Sequence, residues 1–345
     1  MSTVATIGTY GTQPDSAPPD DPFRSRRVNG RYQNLSGGGP VGFGALIKWA
    51  FSRNAGPWDP PGSEYAARDA PPPRVESGAR VTFVNHATVL LQVAGLNIVT
   101  DPIWADRASP VQWAGPKRAR QPGFRFDDLP VIDVILLSHN HYDHMCAPTL
   151  RRLAQRDAPR VVTGLGNSRV PRSVGLTAIR ELDWWEGHDL GGGITVTYVP
   201  ARHFSARGMF DRMKALWGGF YLATPAARIY FAADSGWGDH FAEIGRRLGP
   251  PDFSMIPIGA YRPRSVMAPV HIDPQEAVEA HRQVGSRESM AIHFGTFPLT
   301  DDGQHEPAER LSVALARAGL TSTDFWVPAF GEGRDLSKLP SADRS

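Results

Sequence analysis

Residues 139–144 run His-Asn-His-Tyr-Asp-His, three imidazoles and a carboxylate in six positions. They follow the largely apolar stretch 131–137 (Val-Ile-Asp-Val-Ile-Leu-Leu). Neutral imidazole and carboxylate oxygen are the donors that zinc and related divalent cations prefer. Histidines at i and i+2 followed by Asp-His cannot all meet one ion without strain. They can divide between two, with His139 and His141 on one and Asp143 and His144 on the other. Paired ions acidify water toward a pKa of ~7 and polarise a carbonyl or phosphoryl oxygen, which is hydrolytic chemistry. The chain has no Gly-x-Ser-x-Gly elbow and no Gly-x-x-x-x-Gly-Lys loop to offer another nucleophile or a phosphate cradle.

Such ligands need rigid supports. A strand over 132–137 ends at the His run, and the same rule recurs along the chain: a strand stops and a His or Asp stands at its tip. Asp101 follows a strand at 96–100, His203 one ending at 199, Asp234 one at 228–233, and His293 one at 290–293. Strand ends on one rim hold ligands while loops shape a pocket. Further strands are expected at 81–84, 87–93, 160–163, 218–223, 253–258 and 325–327, with helices at 147–156, 239–248, 274–284 and 307–318. Two groups of strands, each followed by helices, predict an α+β, αββα sandwich with two sheets face to face and helices outside.

These stretches resemble the metallo-β-lactamase-fold hydrolases through Asp101, the 139–144 run, His203, Asp234 and His293. Within them the chain looks most like the group of phospholipases D that hydrolyse N-acyl-phosphatidylethanolamine. The further stretches that carry this likeness are 86–90 (His-Ala-Thr-Val-Leu), 100–103, 107–110, 115–118, 271–277 and 292–297, and it covers roughly residues 78 to 333. The resemblance implies a first metal on His139, His141 and His203. It implies a second on Asp143, His144 and His293, with Asp234 bridging the two. The expected ions are zinc. Asp101 is expected to steady the histidine loop by hydrogen bonds, and His271 to lie in the active site as a catalytic residue with Asp143 and Asp234. His86 is outside this ligand set.

The expected reaction is hydrolysis of a lipid phosphodiester, giving an alcohol-amide and a phosphatidic acid. A lactonase or β-lactam hydrolase of the same fold, a nucleic-acid phosphodiesterase and an iron-binding or non-catalytic member are the alternatives. The run Lys117-Arg118-Ala119-Arg120, with Arg125, is a candidate for attracting a phosphate head group, and Trp104, Trp113, Phe124 and Phe126 for lining an acyl groove. For Trp184 and Trp185 core packing is the preferred reading, and Cys146 is read as a small packing residue. His188, His240, His281 and His305 are assigned to core or surface.

The chain has 345 residues, 41% apolar and 21% charged, with a net charge of +2 and one cysteine. This is ordinary globular composition, and no intrachain disulfide is possible. No basic, aromatic module points to nucleic acid. No signal peptide or spanning helix is evident, so a cytoplasmic location is expected. The segment 39–51 is amphipathic and suits a helix packed on the domain or a peripheral membrane contact. The expected organisation is a partly disordered extension at 1–75, a hydrolase domain at 76–335 and a disordered tail at 336–345.

Overall fold

The computed structural model describes residues 21–35, 39–65, 70–208 and 210–336. The disorder expected at 1–20 and 337–345 lies outside the described residues. A short hairpin of β1 (Arg27–Val28) and β2 (Arg31–Tyr32) precedes α1 (Phe43–Phe51). Two seven-stranded sheets follow.

The first sheet begins with the meander β3 (Ala79–Asn85), β4 (Thr88–Val93) and β5 (Leu96–Thr100). It continues in parallel through β6 (Val134–Leu137), α2 (Ala147–Arg156), β7 (Arg160–Gly164), α3 (Arg169–Ser173) and β8 (Ile179–Leu182). The second repeats this plan. Antiparallel β9 (Gly187–Gly191), β10 (Ile194–Val199), β11 (Gly219–Ala223) and β12 (Arg228–Phe231) lead, through α4 (His240–Leu248), to parallel β13 (Phe253–Pro257). After α5 (Arg264–Met267) and α6 (Pro274–Val284) come β14 (Glu288–Ile292), α7 (Glu306–Ala318) and β15 (Phe325–Trp326). Finally β16 (Gly333–Asp335) pairs antiparallel with β3 at the edge of the first sheet.

Side chains alternate across each strand. In β6, Val134 and Leu136 enter the core between the sheets, while Ile135 and Leu137 pack outward beneath α2 with Leu150 and Leu153. Both faces of β6 are covered, which is why the strand is apolar throughout. α6 shows how its helix starts: the Asp273 side chain accepts from the Gln275 and Glu276 N–H groups, and Glu276 accepts in return from the Asp273 N–H. The sandwich is the expected one.

Within the extension expected at 1–75, residues 21–35 are docked on the domain. Tyr32 and Leu35 are buried in the main core, and Asp21 pairs with Arg247 at 2.6 Å. Leu336, the first residue of the expected tail, is also buried, with its N–H on the Ala79 carbonyl.

Candidate metal centre

The C-terminal ends of β3, β5, β6, β10, β12 and β14 share one rim of the sandwich, the usual address for ligands in open sheets. At this rim the chain turns sharply. His86, Asp101, Ala233 and His293 all have φ between 36° and 60°. Left-handed residues other than glycine are uncommon and concentrate at functional sites.

The structure brings all seven candidate ligands together, with Asp101 and His271 beside them. His139 Nε2 lies 2.9 Å from His141 Nδ1, which lies 3.2 Å from His203 Nε2. Beside this trio, Asp143 Oδ2 is 3.4 Å from His144 Nε2 and 3.5 Å from His293 Nε2. Asp234 Oδ2 reaches both groups: it is 3.1 Å from His144 Nε2, 3.2 Å from His293 Nε2 and 3.7 Å from His203 Nε2. His144 Nε2, His293 Nε2 and Asp234 Oδ1 are buried and make no hydrogen bond. Buried polar atoms without partners are costly. Convergent nitrogens and carboxylate oxygens of this kind fit divalent cations.

An outer layer fixes which ring nitrogen faces inward. His144 donates from Nδ1 to Asp101 Oδ2 at 2.7 Å, and His203 from Nδ1 to the Val270 carbonyl at 3.0 Å. His139 Nδ1 lies 2.9 Å from Ser138 Oγ, which itself donates to Asp101 Oδ2 at 2.5 Å. Asp101 Oδ1 accepts from the Ser138 N–H. In all three rings Nε2 is turned toward the other candidate ligands, the orientation that outer-layer bonds at Nδ1 give metal-binding histidines. Arg207 donates to the Asn140 and Met145 carbonyls at 2.9 and 2.8 Å and closes the loop between them.

Electrostatics follow from burial and the carboxylates. Burial, with neighbouring imidazoles, holds His139 well below its ordinary value, His141 at about 3 and His203 at about 4. Burial also works against charge on His144 and His293, but Asp234 and Asp143 outweigh it. His144 is held well above its usual range and His293 is raised to about 9. Burial would push the carboxyls of Asp143 and Asp234 up; the neighbouring histidines instead hold both well below theirs.

Two contributors escaped the sequence reading. His86 donates from Nε2 to Asp143 Oδ2 at 2.9 Å and lies against the His293 ring at 3.9 Å between centroids. Its place in the β3–β4 turn obeys the strand-end rule that found the other residues. Asn34 contacts the backbone of His203 from a distant segment, and nothing local in the sequence signals it.

Above the ligands opens a cavity of about 390 Å³. Its walls are Val41, Leu46 and Trp49 from the α1 region, Phe204 and Arg212 from the loop after β10, and Val266, Met267 and Val270 around α5. His271 lines it too, held well below its ordinary value by burial and so neutral. α1 is tied down by Trp49 Nε1 donating to Asp301 and by the Arg53–Asp301 pair, both at 2.9 Å. A separate groove of about 540 Å³ between α6 and α7 is lined by none of the rim histidines.

None of the residues expected to form the head-group patch or the acyl groove lines the cavity above the ligands, although Lys117, Arg120 and Arg125 are exposed. Arg118 is buried and donates to the Ile103 and Ala105 carbonyls, so it braces its own loop. Trp104, Phe124 and Phe126 pack together beneath α2. Trp113 is 82% exposed, and none of the four aromatics lines the cavity. Trp184 and Trp185 are core residues, and Cys146 is buried with its Sγ accepting from Thr149.

The β-lactamase superfamily domain matches residues 96–294. The chain belongs to the metallo-β-lactamase superfamily. It is 40% identical over 270 residues to N-acyl-phosphatidylethanolamine-hydrolyzing phospholipase D 1 of Caenorhabditis elegans, covering 74% of this chain and 76% of that one. It is 32% identical over 244 residues to the mitochondrial N-acyl-phosphatidylethanolamine-hydrolyzing phospholipase D of Saccharomyces cerevisiae, covering 69% of this chain but 52% of the yeast protein. Among solved structures, the isothiocyanate hydrolase from Delia radicum gut bacteria superposes with a TM-score of 0.59 at 19% identity, over 74% of this chain and 98% of that one. This last likeness shares the fold alone. The chain is a metal-dependent hydrolase of the metallo-β-lactamase superfamily, and on its rim Asp234 stands between two groups of candidate ligands. No helix among the described residues is long and apolar enough to cross a membrane.

Proposed function

We propose that the protein is a dinuclear metal phosphodiesterase of the phospholipase D type, acting on N-acyl-phosphatidylethanolamine-like lipids. His139, His141 and His203 would hold one ion, Asp143, His144 and His293 the other, with Asp234 shared. The observation that carries this reading is that Asp234 Oδ2 lies within 3.7 Å of ligand nitrogens from both clusters, at the floor of an apolar cavity. When bound, zinc ions would supply a water ionisable near neutral pH and positive charge against the phosphoryl oxygens. The cavity's apolar walls would take acyl chain and exclude bulk water. His271, neutral and lining the cavity, would donate a hydrogen bond to a phosphoryl oxygen and orient it. Water then forms a bond to phosphorus while the phosphorus–oxygen bond to the N-acylethanolamine breaks, and the departing oxygen takes up a proton. The products are phosphatidic acid and an N-acylethanolamine.

The mouth suits a lipid surface. Ile47 and Phe51 on α1 are 43% and 90% exposed, and Phe210 on the neighbouring loop is 79% exposed. Such residues bury readily in a bilayer interface. The deciding experiment sets zinc-loaded protein against an N-acylated phosphatidylethanolamine, an aryl phosphodiester, a lactone and a cephalosporin. Release of the acylethanolamine is the expected result; turnover of the lactone or cephalosporin alone would refute the reading.

A further inference from the structure

His203 sits in the loop that follows β10, beyond the last ladder hydrogen bond of the strand. Its ring is oriented by the Val270 carbonyl, but its backbone has no strand neighbour to hold it. A buried peptide group still needs partners. They come from Asn34, which is 169 residues away: Oδ1 accepts from the His203 N–H at 3.0 Å, and Nδ2 donates to the His203 carbonyl at 2.6 Å. The side-chain amide thus stands in for a missing adjacent strand. Asn34 is 9% exposed and His203 1%, so both bonds are sheltered from bulk water.

Asn34 is itself anchored. The Tyr32 N–H donates to the Met213 carbonyl at 2.7 Å, Arg31 donates to the Arg212 carbonyl, and Trp185 Nε1 donates to the Phe23 carbonyl at 3.0 Å. Asp21 pairs with Arg247. The segment 21–35 lies outside the matched superfamily domain at 96–294, yet it ends on a metal-type ligand.

We infer that Asn34 is a positioning residue of the first metal cluster, fixing the backbone of His203 so that the N-terminal arm is part of the metal centre. This rests on the dinuclear reading above. The arm acts through the ligand's main chain. Losing it lets the loop carry His203 Nε2 away from His139 and His141 and leaves the second cluster intact.

The test is zinc titration of chelator-stripped, full-length protein against a competing chelator, with bound metal counted by plasma mass spectrometry. The expected result for Asn34→Ala is selective weakening of one of two equivalents by roughly 10–100-fold, the size usual for lost outer support. Asn34→Asp, which keeps the acceptor and loses the donor, should fall between Asn34→Ala and the parent. Arg27→Ala, an exposed change in the same arm, should match the parent. General destabilisation would weaken both equivalents together and would count against the inference. Parental affinity for both equivalents in Asn34→Ala overturns it; so does parental affinity in Asn34→Asp, which carries the test if Asn34→Ala fails to fold. His203→Ala belongs in the same series. If His203→Ala retains both equivalents, the dinuclear reading fails rather than the role of Asn34.

Discussion

At Asp234 one carboxylate oxygen stands close to nitrogens of both clusters, so under the proposed dinuclear reading its removal takes a ligand position from each. Asp234→Ala should bind less than two equivalents of zinc and lose activity by at least ~10²–10³-fold, the scale of deleting one preorganised electrostatic group. Full activity with full metal content would exclude the bridging role. His86 acts one layer out. His86→Ala removes the hydrogen bond to Asp143 and should weaken one zinc equivalent by roughly 10–100-fold. The pH dependence has a defined sign. Without cations, Asp234 and Asp143 overcome burial to keep His144 and His293 protonated, the latter up to about 9. A cation at the second cluster must displace those protons, so zinc affinity should rise with pH until about 9. Calorimetry in buffers of different ionisation enthalpy should show proton release near neutrality; none would contradict this picture. The candidate ligands were legible in the sequence because four crowd into 139–144 and the other three follow apolar strands. Asn34 was not, since its partner is 169 residues away.

Elements differ in how plainly their residues announce them. α6, with its capping box and proline start, and β10, with its alternation, are readable locally. β8 (Ile-Arg-Glu-Leu), β9 (Gly-His-Asp-Leu-Gly) and β16 (Gly-Arg-Asp) are polar edge strands whose sequences carry little β preference. Pairing with a neighbour makes them strands. α1 is a third case. Its amphipathic spacing was visible, and the structure gives one side to the cavity through Leu46 and Trp49 and leaves Ile47 and Phe51 outward. At about 1.5–3 kcal/mol per buried apolar side chain, Phe51→Ser should weaken binding to anionic vesicles by on the order of tenfold. Hydrolysis of a soluble aryl phosphodiester should stay at the parental rate. Equal vesicle binding by Phe51→Ser would show that α1 touches no bilayer.

Across the whole molecule, the candidate ligands come from both sheets, so the sandwich must be locked where they meet. Tyr198 of β10 does this, donating from its hydroxyl to the Ser138 carbonyl at 2.7 Å, beside the histidine run. Gly164 makes room for it: a Cβ there would lie 2.4 Å from that hydroxyl. Tyr198→Phe leaves the Ser138 carbonyl buried without this donor and should lower unfolding free energy by about 1–3 kcal/mol, measured by urea denaturation. An unchanged midpoint would remove the lock from the account. The overall plan was predictable because both sheets repeat one meander-then-crossover scheme; the docking of 21–35 was not, because it depends on Asp21–Arg247 and Asn34–His203 contacts that only the folded chain creates. The candidate metal ligands stand just beyond the ends of sheet strands, whereas the cavity is enclosed by α1, by Phe204 and Arg212, and by the α5 region, three attachments that contribute little to the sheets. Chimeras that exchange those three segments with a sister enzyme should therefore redirect which ester is cut while keeping the same cation stoichiometry, so selectivity in this architecture can diversify without rebuilding its chemistry.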